Sequence, residues 1–260
     1  FIHMKNTILS NKDSSLIEQT ILKYGRIATT KDLIEIFSNE YSTQAAFNRI
    51  NKLVEAGWLK RIKRGLFLVN ESISSRFQND QSLLLISNVL NPNSYISLSY
   101  ALNYYQMFDQ YTKTIVAITT KESKKYNFDG YLFKFTRVKG SMFFGYSVKL
   151  ENGRMVKIAD AEKALIDYLY LDNSFTSASL VYEKLKEFKE SIDFDKFQEY
   201  ATKVDITTMR KCGFLLDQLG IDSKYLHMKL TTNKGFSKFT KESTTFNAKW
   251  RIYYDPQITG

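Results

Sequence analysis

"TQAAFNRINKLVEAGWLKRIKRGLF", residues 43–67, changes character halfway along. In its first half Ala46, Ile50, Leu53 and Val54 fall at i, i+4, i+7 and i+8, a single apolar stripe that predicts an amphipathic helix. At ~100° per residue, Gln44, Asn48 and Lys52 lie opposite that stripe, with Arg49 and Asn51 on the flanks of their face. The second half gathers Lys60, Arg61, Lys63 and Arg64 around Gly65, with no acidic residue after Glu55. Ser42 supplies an N-cap and Gly57 a stop. Trp58-Leu59 then opens a strand, Arg64-Gly65 turns it, and Leu66 to Val69 returns.

Two helices are predicted upstream. Ser14 and Ser15 are candidate caps for a helix through Leu16, Ile17, Ile21, Leu22 and Tyr24, which Gly25 ends. Thr29-Thr30 caps a shorter one with Leu33, Ile34 and Phe37 facing inward, and Asn39-Glu40-Tyr41 connects it to the third. Three helices followed by a two-stranded basic hairpin is the winged helix-turn-helix arrangement. A helix fits the major groove, where amide side chains suit adenine edges and Arg suits guanine. Hairpin cations would lie against phosphates and add affinity without sequence information, and Gly65 allows a tight turn close to the duplex. The candidate DNA-contacting set is Thr43, Gln44, Asn48, Arg49 and Lys52 from the third helix, with Arg61, Lys63 and Arg64 from the hairpin. The same arrangement also serves as a protein-interaction module, and a polar helix face is often simply solvated.

Length and composition set the frame. The chain has 260 residues, comfortable for two domains, and 43% hydrophobic and 15% aromatic residues exclude general disorder. No stretch approaches the ~20 consecutive apolar residues of a membrane span. Phe1-Ile2-His3 precede Met4, read as the natural start, and lack the apolar core of a secretory leader. A single cysteine, Cys212, forbids an internal disulfide, which fits a reducing compartment, and the expected location is cytoplasmic. Net charge is +10 with a pI near 9.4, which favours polyanionic partners. Besides Lys60 to Arg64, one diffuse cluster comprises Lys121, Lys124, Lys125, Lys134, Arg137 and Lys139. Another, from Lys224 to Arg251, is opposed mainly by Glu242. Solvated charge is the commoner use of such clusters.

The expected organisation is α+β: a reading domain over residues 4–70, then a larger mixed α+β domain over 71–260 that begins with a linking helix at about 76–90. Tyr95-Ile96 is expected to enter the aromatic helix "SLSYALNYYQMF". Strands follow in "TIVAIT", "YLFKFTRV", "FFGYSVKLE" and "RMVKIA", the last two joined by Asn152-Gly153, a strong hairpin signal. Asp160 caps "AEKALIDYLYL", helices follow at about 176–189, 194–203 and 207–219, and "AKWRIYY" is a candidate final strand.

Catalytic signals are sparse. The histidines are His3 and His227, too few for a zinc cluster, and His227 reads as an ordinary surface or partly buried residue. Neither a phosphate-cradling glycine loop nor a serine elbow occurs. Asp160, Glu162 and Asp167 are the one acidic concentration. A metal-dependent nuclease needs a Glu and a Lys separated by one position, whereas Glu162 and Lys163 are adjacent. The simpler expectation is Asp160 as a helix cap and Glu162–Lys163 as solvent-side charges, with no catalytic residue, metal or cofactor.

Four phrases together resemble the AbiEi-type antitoxin family, bacterial transcriptional regulators of type IV toxin–antitoxin systems in phage defence. They are "LVEAGWLKRIKRGLFLV", "YISLSYALNYYQMF", "IADAEKALIDYLY" and "MRKCGFLLDQLG", in the family's order across about residues 14–220. The resemblance implies a winged helix that represses its own operon on duplex operator DNA. It also implies a C-terminal domain that opposes a nucleotidyltransferase-like toxin without a stable complex. Two other readings stay open at this point: a nucleic-acid-processing enzyme targeted by the winged helix, and a ligand-sensing regulator with a pocket around Tyr100, Tyr104 and Tyr105.

Overall fold

A computed structural model describes residues 9–70, 80–110, 112–151, 154–230 and 234–259. It divides into two compact units, residues 1–92 with 150–155, and residues 93–149 with 156–260. The start at Met4, His3, the first part of the linking helix and the Asn152-Gly153 turn lie outside the described residues.

The first unit opens with α1 (Asn11–Tyr24). Its cap is Ser10, whose hydroxyl accepts from the Asp13 amide at 3.1 Å and donates to the Asp13 carboxylate at 2.6 Å. Ser14 and Ser15, the expected caps, are exposed positions inside the helix. The Ser10 hydroxyl satisfies the Asp13 amide, so the helix is capped one turn earlier. β1 (Ile27–Thr29) leads to α2 (Thr30–Phe37), which carries a full capping box between Thr29 and Asp32. α3 (Thr43–Glu55) is capped by Ser42 and ends before Gly57, whose φ of +81° suits the residue type. β2 (Leu59–Lys63) and β3 (Leu66–Val69) form the hairpin, and β1 pairs with the far side of β3. Leu16, Leu33, Phe37, Ala46, Ile50 and Leu53 meet beneath this small sheet, so the apolar stripe of each helix closes one core. α4 (Asp80–Leu90) completes the unit and buries Leu83 to Ile86.

The second unit is built on a six-stranded mixed sheet. Its strands are β4 (Ser94–Ser97), β5 (Thr114–Thr119), β6 (Lys124–Phe128), β7 (Tyr131–Arg137), β8 (Tyr146–Glu151) and β9 (Arg154–Ala159), in spatial order β6-β7-β5-β4-β9-β8. Residues 94–97, expected at the entry of a helix, are instead an interior strand. Tyr95 pairs with Ile118 on one side and Ile96 with Ile158 on the other, and all four residues are buried. α5 (Leu98–Tyr104) starts at Leu98, whose φ of +57° turns the chain out of the sheet. β6 is a polar edge strand, joined to β7 by Asp129-Gly130 with both φ values positive, a two-residue hairpin turn.

Helices α6 (Ala161–Leu171), α7 (Phe175–Glu187), α8 (Phe194–Thr202), α9 (Ile206–Gln218) and α10 (Lys224–Lys229) follow. In place of the single final strand that was expected, the tail folds into a small sheet of β10 (Ser237–Lys238), β11 (Thr245–Asn247) and β12 (Ile252–Tyr254). Trp250 anchors this sheet on α9: a Cβ added at Gly213 would meet its ring at 2.1 Å, so only glycine admits it.

Candidate nucleic-acid interface

α3 turns one face to solvent because only its Ala46–Ile50–Leu53 stripe enters the core. Thr43, Gln44, Asn48 and Lys52 are exposed there. Gln44 and Asn48 are neighbours one turn apart, their amides 3.5 Å from one another. Phe47, 42% exposed, and Asn51 lie on the same face and were missed as candidates. The signal was available, since at ~100° per residue Asn51 falls within about 20° of Gln44, on the side away from Asn48. Glu55 is exposed near the end of the helix and would repel phosphate there.

Arg49 is placed differently. Its Nε and Nη2 both grip the carboxylate of Asp13, which is fully buried at the start of α1. A bidentate guanidinium–carboxylate pair fixes both groups, so Arg49 holds α3 against α1 and is not an outward reader.

The hairpin cations also divide. Arg61 and Arg64 are exposed, and the Arg61 guanidinium lies 5.5 Å from the Phe67 ring centre. Gly65 takes φ +75°, which sets the tight turn behind Arg64. Lys63 turns back instead. Its ammonium donates to the carbonyls of Val89 at 2.9 Å and Leu90 at 3.4 Å, satisfying two orphan acceptors at the end of α4. Among the described residues Lys52, Arg61 and Arg64 have no carboxylate in ion-pair reach, whereas Lys12 pairs with Glu40 and Lys23 with Glu35.

In the second unit the acids of α6 are not solvent-side. Glu162 and Lys163 are buried, which corrects the expectation that they face water. Asp160 stands at the N-cap position without a side-chain cap bond. Its carboxylate accepts from Ser147 at 2.6 Å and Tyr200 at 2.8 Å, and pairs with Lys196 at 3.1 Å. Lys196 also reaches Glu162 at 3.1 Å, and Glu162 accepts the Asp193 amide before α8. Burial alone would raise the Asp160 pKa, but the bonds from Ser147, Tyr200 and Lys196 outweigh it and hold the group below its ordinary value. Burial and the Asp160 charge push the Tyr200 phenol up to about 12. Lys163 pairs with Asp167, which also accepts from Tyr95 and Ser97. Every one of these acids is matched by a cation or a set of donors, as buried charge requires, and no trio of metal-holding side chains occurs among the described residues. Tyr104 and Tyr105 stack edge to face on α5, with Tyr104 43% exposed. A pocket is lined by Phe175, Thr240, Glu242, Asp255, Pro256 and Gln257.

The architecture is that of a mixed α+β protein with a helical N-terminal region and a larger sheet-containing region. A crystal structure of the RV2827C protein from Mycobacterium tuberculosis has the same fold, with TM-score 0.69 at 12% identity over 98% of this chain and 94% of that one. No curated protein matches the chain. Residues 15–70, the segment from within α1 through the basic hairpin, match the family described as transcriptional regulator, AbiEi antitoxin. No described helix is long and apolar enough to cross a membrane.

Proposed function

We propose that the protein is a cytoplasmic DNA-binding autorepressor and the antitoxin of a bacterial type IV toxin–antitoxin system. Residues 4–70 act as a winged helix-turn-helix. α3 reads base edges in the major groove through Gln44 and Asn48, assisted by Thr43 and Lys52, while Arg61 and Arg64 of the hairpin neutralise phosphates. The observation that carries this reading is the outward amide pair on α3 beside unpaired hairpin cations, in the segment that matches a regulator family. Residues 71–260 oppose a nucleotidyltransferase-like toxin without forming a stable complex and without hydrolysing anything. The α6 acids support that last point, because each is already committed to a cation or donor within the core.

Footprinting on the protein's own promoter is the test. Protection of repeated operator sequences by the full chain, lost on Gln44→Ala/Asn48→Ala substitution, is the expected result. Absence of any protected site there, with folded protein and no preference over random duplex, would overturn the repressor reading.

A further inference from the structure

The tail sheet has one face in the core and one in solvent. Ile252 and Ser237 are buried and Trp250 is seated on Gly213. Strand register settles what lies on the other side, because residues directly opposite one another share a face. Tyr253 is paired with Lys238 on β10 and with Phe246 on β11, so these three form one row across all three strands. Phe236, two residues before Lys238, extends the row on the same face. The rings touch one another, with Phe236–Tyr253 centroids at 5.3 Å and Phe246–Tyr253 centroids at 5.0 Å. The Lys238 ammonium stands 5.4 Å from the Tyr253 ring centre. Phe236 is 62% and Phe246 46% exposed, a large apolar surface to leave in water.

Charge completes the description. Between residues 234 and 254 the chain carries Lys234, Lys238, Lys241, Lys249 and Arg251 against Glu242 alone. Of these, Lys249 is paired with Asp217, and Glu242 lines the pocket beside Asp255. Arg251 holds a φ of +51° and donates through Nε to the Gly235 carbonyl at 2.7 Å, fixing the loop that presents Phe236.

We propose that this face is a second nucleic-acid site, for a single-stranded stretch whose bases stack on Phe236, Tyr253 and Phe246 while Lys238 and its basic surroundings meet the phosphates. Exposed rings in a row among cations fit a polyanion that also offers flat π-faces, which an acidic peptide does not. A duplex hides those faces within its own stack, so the strand must be single. Three rings accommodate about two or three bases, and stacking of this kind tolerates any sequence. RNA and DNA share the chemistry. The inference is independent of operator reading by α3.

The test uses the full chain and fluorescence anisotropy with end-labelled oligo-U and oligo-dT of about 15 nucleotides, the two arms distinguishing RNA from DNA. Salt-sensitive binding of at least one is expected. Phe236→Ala/Phe246→Ala should weaken it at least tenfold and Phe246→Trp should retain it, while the double variant keeps wild-type affinity for duplex DNA. An oligonucleotide of abasic sites should bind the wild type as poorly as the intact strand binds the double variant. Intact affinity in a folded double variant, equal binding of the abasic strand, or equal competition by polyglutamate would each overturn the proposal. Loss of single-strand binding together with duplex binding in a folded double variant would overturn the separate site, while a wild-type chain that binds the single strand but no duplex would overturn only the operator reading, so the two readings fail separately.

Discussion

Lys63 and Arg64 are adjacent cations at the tip of one hairpin, and the structure gives them opposite surroundings. Arg64 is exposed beside the Gly65 turn, while the Lys63 ammonium closes the carbonyl end of α4. Replacing Arg64 with Ala should therefore remove one phosphate contact and no packing. Each neutralised phosphate contributes ~0.9 to the slope of log affinity against log salt, so a fourfold rise in salt costs about 3.5-fold per contact. Arg64→Ala should flatten the slope by ~0.9 on operator and random duplex alike, with the urea midpoint unmoved. Lys63→Ala should do the reverse. A hydrogen bond to a charged donor contributes ~1.5–3 kcal/mol, and partial exposure together with one long bond reduces this to about 1 kcal/mol. With m near ~1–3 kcal/mol/M, the urea midpoint should fall by about 0.5 M while the salt slope stays in place. Anisotropy titrations at several salt concentrations and urea denaturation of each single variant make the comparison. A Lys63→Ala protein with a flattened slope and an unchanged midpoint would refute the assignment and return Lys63 to the phosphates.

Gln44→Ala or Asn48→Ala should weaken operator binding by ~1–3 kcal/mol if the residue makes a bidentate base contact, with random DNA bound as before; equal losses on both sequences would show that α3 is not the reader. Asp13→Ala strands Arg49 in a half-buried position and should destabilise the first unit by roughly 2–3 kcal/mol, seen as a lower melting midpoint, because breaking a buried pair leaves an uncompensated charge. A variant as stable as wild type would mean the pair contributes nothing to seating α3. Acidification should weaken the second unit. The Asp160 pKa is depressed on folding, so its stabilisation is present above the ordinary carboxylate range and is lost as pH falls through the depressed value. Asp160→Asn should be less stable at neutral pH and lose less between about pH 5 and 2, and denaturation profiles identical in slope to wild type would contradict the network described around Lys196.

Most elements of the first unit are legible in the sequence because its signals are local. α1, α2 and α3 each have a capping side chain directly before the first helical residue and an apolar stripe at helical spacing, and the hairpin turn sits on a Gly. The failures share a cause. β4 was lost to the helix after it because four residues of "SYIS" carry no alternation when both neighbours in the sheet bury them. β6 went unseen although Asp129-Gly130 marks its turn, since an edge strand of mostly polar residues lacks an apolar period. β10 and β11 are two and three residues long and exist only by pairing with β12, a contact no short window reveals.

The candidate interface shows the same limit in its charges. Lys and Arg carry apolar stems and one positive group wherever they stand, so the sequence alone does not separate a phosphate ligand from a structural brace. Arg49 finds Asp13 36 residues away, and Lys63 finds the Val89 carbonyl 26 residues away. In the second unit Lys211 is buried and bonds Asn173 38 residues away, while Lys196 bridges Asp160 and Glu162. Each of these cations adds to the net charge of +10 while serving the interior or its margin. The polar face of α3 was easier to place, because amide residues opposite an apolar stripe have nowhere to go but outward. On the proposed reading, what the chain would offer a duplex is narrower than its basic composition suggests: amides on one helix face, Lys52, and the two arginines of the hairpin. A salt slope well above what those three cations supply would have to draw on basic surface elsewhere in the chain.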